Sequence, residues 1–344
     1  MIDLRSDTLT MPDEDMLRTI LTAPLGDDGR LGSDGRGEDA TINQLEDMAA
    51  EITGKEAGLL CCSGTMGNQV ALMTWCQPGD TVIVDELQHL YRSEKTAFDS
   101  RFMRLKPAFY HLDEAYMPDL AELEPLMQAG ASLLCVENTH NFTGGTCTTP
   151  ERLAEIRKLT NLYHIPVHMD GARLFNAAVH LGVSVKELCR SVDSVMFCVS
   201  KGLAAPVGSI LCGSREFIAK AKGVRKLMGG ALRQGGIIAA PAIYALKHNV
   251  ERLKEDNENA AICAAHLQGL KHLILQKSVQ TNILMLDLKN AMLTPEQFCT
   301  RAKEEGLWIR PILDTSVRLV FYKGITKEDA VRAAEIIRSL DAEC

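Results

Sequence analysis

An α/β architecture, with a mainly parallel central sheet and a smaller C-terminal α+β unit, is what this sequence predicts, and three observations carry it. From about Thr41 to Leu246, short apolar runs alternate with amphipathic helical segments. Those runs are continuously apolar rather than alternating, as in strands covered on both faces. Beyond residue 246 the pattern changes to a long helical stretch followed by strand, helix, two strands and helix. With 344 residues, 46% of them hydrophobic, the chain can bury one large core and a second, smaller one.

In chain order, the predicted strands of the large unit are Gly58–Cys61, Thr81–Val84, Ser132–Val136, Pro166–Met169, Ser194–Val199 and Ser209–Cys212. Helices are predicted over Thr65–Cys76, Pro150–Leu162 and Leu174–Arg190, then over a long stretch, Pro241–Leu270. The second unit reads as strand Thr281–Leu288, helix Pro295–Glu305, strands Leu307–Ile312 and Ser316–Tyr322, and helix Lys327–Leu340. The predicted division is 1–246 for the large domain and 247–344 for the small one, with a linking helix at its start. The glycine-rich run GDDGRLGSDGRG at Gly26–Gly37 reads as a mobile loop. Neither an internal repeat nor a low-complexity tract is visible.

Charge and composition exclude several function classes. A formal charge of −8 argues against a nucleic-acid binder, which needs a basic face. No segment approaches the roughly 18 uninterrupted apolar residues of a membrane span. The polar opening MIDLRSDTLT is not a secretory signal. The eleven cysteines are scattered without a C-x-x-C pair, and Cys135, Cys198 and Cys212 fall in apolar strand-like runs. They read as free thiols in a reducing, cytoplasmic compartment. His164 and His168 flank a strand and lack a cysteine pair, so no metal is expected.

Ligands of open α/β sheets bind beyond the carboxyl ends of the strands. Asp170 ends HIPVHMD and Lys201 ends SVMFCVSK, one strand–helix unit later. A right-handed crossover would make these strands neighbours, with acid and amine facing one crevice. On its own the pair also reads as a surface salt bridge. Cys62-Ser63-Gly64-Thr65 follows a strand and opens a helix, which suits an anion at the helix start and serves equally as an N-cap. His89 follows another strand end, where a flat imidazole would stack on a planar ring, although a lone loop histidine is commonly surface. Taken together, these are the parts that pyridoxal-phosphate chemistry uses. A lysine forms the Schiff base, a carboxylate keeps the pyridine nitrogen protonated, and a helix start takes the phosphate. Arginines would fix a substrate carboxylate, with Arg5, Arg173, Arg233 and Arg318 as candidates.

The stretches DLRSDTLT, GDD, SGTMGN, HLYRSE, ENTHN, HMDGARLFNA, SKGLAAPVGS, GGALRQGG, YALKHNVERL and VRLV, in this order and spacing, resemble the threonine aldolase family of fold-type I pyridoxal-phosphate enzymes. The resemblance implies that Ser6, Arg173 and Arg318 hold the amino-acid carboxylate. Gly64 and Thr65, with Arg233, would hold the phosphate. His89 would stack on the ring, with Glu94 near the catalytic face, and Asp170 and Lys201 as above. It also implies a homo-oligomer, a dimer of dimers with active sites at subunit interfaces. Three departures stand out. The segment Gly29–Gly37 is longer than in the family and carries Arg30 and Arg36 where an aromatic residue is usual. Pro125–Ser132 lacks the family's second histidine. Arg92, Ser93 and Lys95 surround Glu94 where apolar residues are usual. Either these cations present positive charge to the substrate's β-substituent, or they are solvated and pair with Asp27, Asp28, Asp34 and Glu38.

The implied activity is retro-aldol cleavage of a threonine-like β-hydroxy-α-amino acid to glycine and an aldehyde, with His89, Glu94 or a water taking the β-hydroxyl proton. β-Elimination and racemisation use the same residue set and differ in which bond at Cα is broken. A non-catalytic metabolite-binding protein would have no need of the Lys201–Asp170 pair. A dinucleotide-dependent dehydrogenase would need a G-x-G-x-x-G turn after the first sheet strand, and none is there. Fold alone does not separate these readings; the site does.

Overall fold

A computed structural model describes residues 1–342. Its thirteen strands are β1 (Ile2–Asp3), β2 (Ala57–Cys61), β3 (Thr81–Asp85), β4 (Lys106–Tyr110), β5 (Leu133–Glu137), β6 (Val167–Asp170), β7 (Ser194–Cys198), β8 (Ser209–Gly213), β9 (Ile274–Leu275), β10 (Ile283–Asp287), β11 (Leu307–Trp308), β12 (Arg310–Leu313) and β13 (Ser316–Val320). Seven of them form the central sheet in the order β2-β8-β7-β6-β5-β3-β4. Only β8 runs antiparallel to its neighbours β2 and β7; the other pairings are parallel. This is the predicted mainly parallel sheet, and strands β5, β7 and β8 are buried along their whole length. All six strands read for the large unit are present within a residue or two of their expected bounds, whereas the strand expected over Leu307–Ile312 is two, Leu307–Trp308 and Arg310–Leu313, in different sheets.

Strand β4 escaped the sequence reading. It is an edge strand, KPAFY, with exposed Lys106 and Phe109 and with Pro107 inside it. Proline is tolerated on an edge because one side of the backbone needs no ladder partner, and half-exposure removes the continuous apolar signal. Two helical stretches also divide. The predicted helix over Leu174–Arg190 is two helices, Leu174–Leu181 and Val185–Cys189. Gly182 adopts φ 66°, ψ 28° and ends the first, and the Ser184 side chain caps the second by accepting from the Glu187 N–H. The stretch over Pro241–Leu270 is likewise Gly236–His248 followed by Leu253–His266.

Beyond the linking helices, β12-β13-β10-β9 form an antiparallel sheet, and β1 pairs in parallel with β11. The second hydrophobic core therefore gathers Ile2 and Leu4 from the start of the chain with residues such as Leu284, Phe298, Leu319 and Phe321. This return of the N-terminal strand brings Ser6 and Asp7 to the boundary between the two cores, where the strand ends of the large sheet open. The Gly26–Gly37 segment is anchored at its base: Asp27 bridges to Arg233, and the buried Asp28 carboxylate meets the Arg225 guanidinium. Among the described residues no helix is long and apolar enough to cross a membrane.

Candidate active site

Strands β6 and β7 are adjacent and parallel, with Asp170 opposite Met196. The sequential pairing assumed for Asp170 and Lys201 is thus met, and both line one cavity of about 360 Å³. Ser6, Gly64, Thr65, His89, Glu94, Arg173 and Arg318 line the same cavity. Of the eleven candidate residues, nine converge here, and Arg5 and Arg233 do not.

Asp170 is buried at the end of β6. Its Oδ1 accepts the Ala172 N–H at 3.1 Å and its Oδ2 accepts an N–H of the Asn68 amide at 2.9 Å. Asn68 is in turn oriented from behind. Its Oδ1 lies 3.2 Å from His168 Nε2, the other ring nitrogen of His168 lies 2.9 Å from Ser194 Oγ, and the Trp75 indole donates to that oxygen at 2.8 Å. Burial pushes His168 down to about 4, so its ring is neutral. A neutral ring carrying its proton on Nε2 donates to Asn68 and accepts from Ser194. His168 is thus a buried relay that turns the amide donors of Asn68 toward Asp170.

Gly64 opens the helix Gly64–Trp75, where Ser63 caps by accepting from the Met66 N–H at 3.1 Å. The amides of Gly64 and Thr65 come before any intrahelical acceptor and face the cavity as an anion cradle. A side chain at Gly64 would sit 2.8 Å from Cys198 Sγ, so the close passage of helix over sheet requires glycine. Lys201, half-buried just after β7, has no hydrogen-bond partner for its ammonium among the described residues.

His89 is tied on two sides. Its backbone N–H donates to Glu137 Oε2 at 2.7 Å, and its Nδ1 lies 3.3 Å from Glu94 Oε1. Burial alone would lower the imidazole, but the Glu94, Glu137 and Asp170 carboxylates outweigh it and hold His89 above its ordinary value. Glu94, on the single π-turn Leu90–Glu94, accepts from Asn68 at 3.1 Å and from Gln69 at 3.0 Å. Phe142 faces His89 with ring centroids 6.4 Å apart and planes at 26°.

On the other side of the cavity, Arg173 is gripped by Asp7. Its Nε and Nη2 donate to the two carboxylate oxygens at 2.6 and 2.8 Å, and Asp7 is fully buried. Burial raises the Asp7 carboxyl, but Arg173 and the neighbouring Lys201 and Arg318 prevail and hold it below the usual carboxylate range. Arg318, 4% exposed on β13, donates from Nη1 to Asn141 Oδ1 at 2.6 Å, and its Nε has no partner among the described residues. Burial, assisted by Arg173, pushes Arg318 down to about 9. A buried guanidinium that lines a cavity and has an N–H still without a partner among the described residues is suited to an incoming anion.

Arg233 is elsewhere. Its side chain, 71% exposed, pairs with Asp27 outside the cavity lining. Arg5, the other candidate left over, forks onto Asp3 at 2.6 and 2.9 Å over the Trp308 ring. The loop cations are also absent from the cavity lining. Arg30 faces Asp27 at 3.8 Å, Arg36 reaches Asp47 and Asn43, and Arg92 lies over the Phe142 ring. Within this chain they do not surround the substrate space. Sequence reasoning missed Asp7, Asn68, Glu137, Asn141 and Arg310. The first four lie inside the stretches DLRSDTLT, SGTMGN and ENTHN, whereas Arg310 carries no sequence signal.

Comparison with known proteins follows the same lines. The sequence profile described as beta-eliminating lyase matches residues 3–291. A low-specificity L-threonine aldolase of Escherichia coli K12 is 36% identical over 355 residues, covering 97% of each chain. Low-specificity L-threonine aldolase 1 of Arabidopsis thaliana is 35% identical over 339 residues, covering 95% of this chain and 93% of that one. Among solved structures, a putative aromatic amino acid beta-eliminating lyase/threonine aldolase from Exiguobacterium sp. 255-15 has a TM-score of 0.79 at 21% identity, covering 96% of this chain and 98% of that one.

Proposed function

From the premise that this chain belongs to the beta-eliminating lyase family, alongside the low-specificity threonine aldolases, we propose that it is a pyridoxal-phosphate lyase that cleaves a β-hydroxy-α-amino acid to glycine and an aldehyde. The observation that carries the reading is the convergence of Lys201, Asp170 and the open helix start at Gly64–Thr65 on one cavity, with Arg318 across it. The residues fit the cofactor. A buried carboxylate suits a protonated ring nitrogen, an unpartnered amine suits the aldehyde, and the glycine-floored amide cradle suits a phosphate. Bound there, the cofactor would supply an electron-accepting ring for the bond broken at Cα.

The remaining work falls to side chains. Arg318, steadied by Asn141, holds the substrate carboxylate, and Ser6 lines the same wall. Arg173 has its fork filled by Asp7, so it acts with Asn141 to fix the position of Arg318 and adds positive potential. Of His89, Glu94 and water, we assign the β-hydroxyl proton to His89. Glu94 is already committed to Asn68 and Gln69, and it faces one nitrogen of the histidine ring.

His89 must be neutral to accept a proton, so kcat/KM should rise with pH through its titration. The carboxylates around it place that rise above the ordinary imidazole value of about 6.5. Glu94→Gln removes one of the charges that hold the proton on, so the rising limb should move to lower pH. A limb that stays in place in Glu94→Gln removes His89 from the role.

The eight buried and two half-buried free cysteines among the described residues support a reducing, cytoplasmic setting. Exposed Leu17, Leu21, Leu25 and Ile237 on neighbouring segments support self-association. The activity itself is tested with a panel of β-hydroxy amino acids. Glycine and aldehyde are the expected products. Release of keto acid and ammonia, or inversion at Cα without cleavage, would replace the aldolase assignment by elimination or racemisation.

A further inference from the structure

The cavity holds one more cation than cleavage of threonine uses. Lys201, Arg173, Arg310 and Arg318 line it. On the proposed reading Lys201 is claimed by the cofactor and Arg318 by the substrate carboxylate, and Arg173 is neutralised by Asp7. Arg310 has no such commitment. Its single hydrogen bond among the described residues is a long one, Nε to the Pro311 carbonyl at 3.5 Å, and it forms no ion pair there.

Its direction is set by the sheet. Arg310 on β12 lies directly opposite Arg318 on β13 in an antiparallel pair. Such partners project from the same face with Cβ atoms roughly 5 Å apart. Ile312, two residues further along β12, also lines the cavity, as the period of a strand requires. Arg310 thus stands on the wall that carries Arg318 but at its exposed rim, whereas Arg318 is buried. A substrate whose α-carboxylate is seated on Arg318 therefore has Arg310 within reach of a group further along its chain. Threonine ends in a methyl and offers such a cation nothing.

We propose that Arg310 determines specificity by receiving an acidic group on the β-substituent, so that the preferred substrate is a β-hydroxy-α-amino acid bearing a carboxylate or phosphate beyond Cβ. This rests on the aldolase reading and names its substrate class. The planar fork of arginine suits either oxyanion, and two guanidiniums on one face repel each other until anions fill both. For a carboxylate substrate the reaction balances without a further reactant. The Cα–Cβ bond of 3-hydroxyaspartate breaks, the β-hydroxyl proton passes to the base, Cα gains a proton, and glycine and glyoxylate leave.

The test compares kcat/KM for 3-hydroxyaspartate and threonine in the wild-type holoenzyme, Arg310→Gln and Arg318→Lys. The wild type should favour 3-hydroxyaspartate, with a rate that falls as salt is added. Arg310→Gln should lower the 3-hydroxyaspartate to threonine ratio by about ten- to a hundredfold, the worth of one charge-assisted hydrogen bond pair. Arg318→Lys should depress both substrates alike. An Arg310→Gln enzyme that loses both activities in equal proportion would place Arg310 on the α-carboxylate, and weakened retention of pyridoxal phosphate would place it on the cofactor; either result overturns the proposal. An unmoved ratio does so too. A wild type that cleaves threonine but not 3-hydroxyaspartate overturns this inference alone, whereas one that releases glycine from neither overturns the aldolase reading as well.

Discussion

Lys201→Ala should lose turnover by about a thousandfold or more while folding normally, the expected behaviour of a side chain that acts only by covalent chemistry. The structural half of this expectation comes from what Lys201 lacks. Its ammonium makes no hydrogen bond among the described residues, so truncation leaves no buried donor or acceptor orphaned. The stability change should then stay within about 0.5 kcal/mol, which thermal unfolding can bound. No other lysine lines the cavity among the described residues. Borohydride reduction of the holoenzyme followed by peptide mapping should accordingly place the pyridoxyl group on Lys201. Recovery of the label on a different lysine, or an alanine variant with wild-type kcat, would remove the residue from the chemistry.

How much of this was legible beforehand depended on whether a residue's role was local or assembled. The strands of the central sheet were readable because continuous apolar runs leave no other place for them, and the position of Lys201 and Asp170 followed from strand order alone. Edge strand β4 was not readable, since its exposed face and its proline carry no periodic signal. Asp7 shows the same limit in the site. Its carboxylate is spent on Arg173, 166 positions away, and only the return of the N-terminal strand to the second core brings the two together. Arg310 is set by register: a shift of one residue in the β12–β13 pairing would turn it away from the cavity. Arg233, a carboxylate candidate by residue type and a phosphate candidate by resemblance, lies outside the cavity lining within this chain, where one nitrogen of its guanidinium meets Asp27. Recognition by motif transfers a residue type, whereas the partner that claims it is a property of the particular loop.

Asp170→Asn should cost about a hundred- to a thousandfold in kcat, the range for removing a charge aimed at the site of developing charge. The change is nearly isosteric, but the surroundings of Asp170 accept only an anion or an acceptor. Asn68 turns its amide N–H toward Asp170 Oδ2, and it cannot readily flip, because its Oδ1 takes the donor of a neutral His168. That ring is held in turn by Ser194 and Trp75. An asparagine at 170 can keep its oxygen on the Ala172 N–H, but its amide then opposes the amide of Asn68, donor against donor. One buried donor is left unsatisfied, at a cost of about 1–3 kcal/mol, so the melting temperature should fall by several degrees. Stability and catalysis are separable by Asp170→Glu, which keeps the charge but displaces it: it should recover more of kcat than Asn even where its melting temperature is lower. The dependence of kcat on the charge, rather than on the fit, is the outcome that assigns Asp170 to the ring nitrogen. An Asn variant with near-normal aldol cleavage would show that the carboxylate serves only to complete the chain of hydrogen bonds running from Trp75 to Asn68.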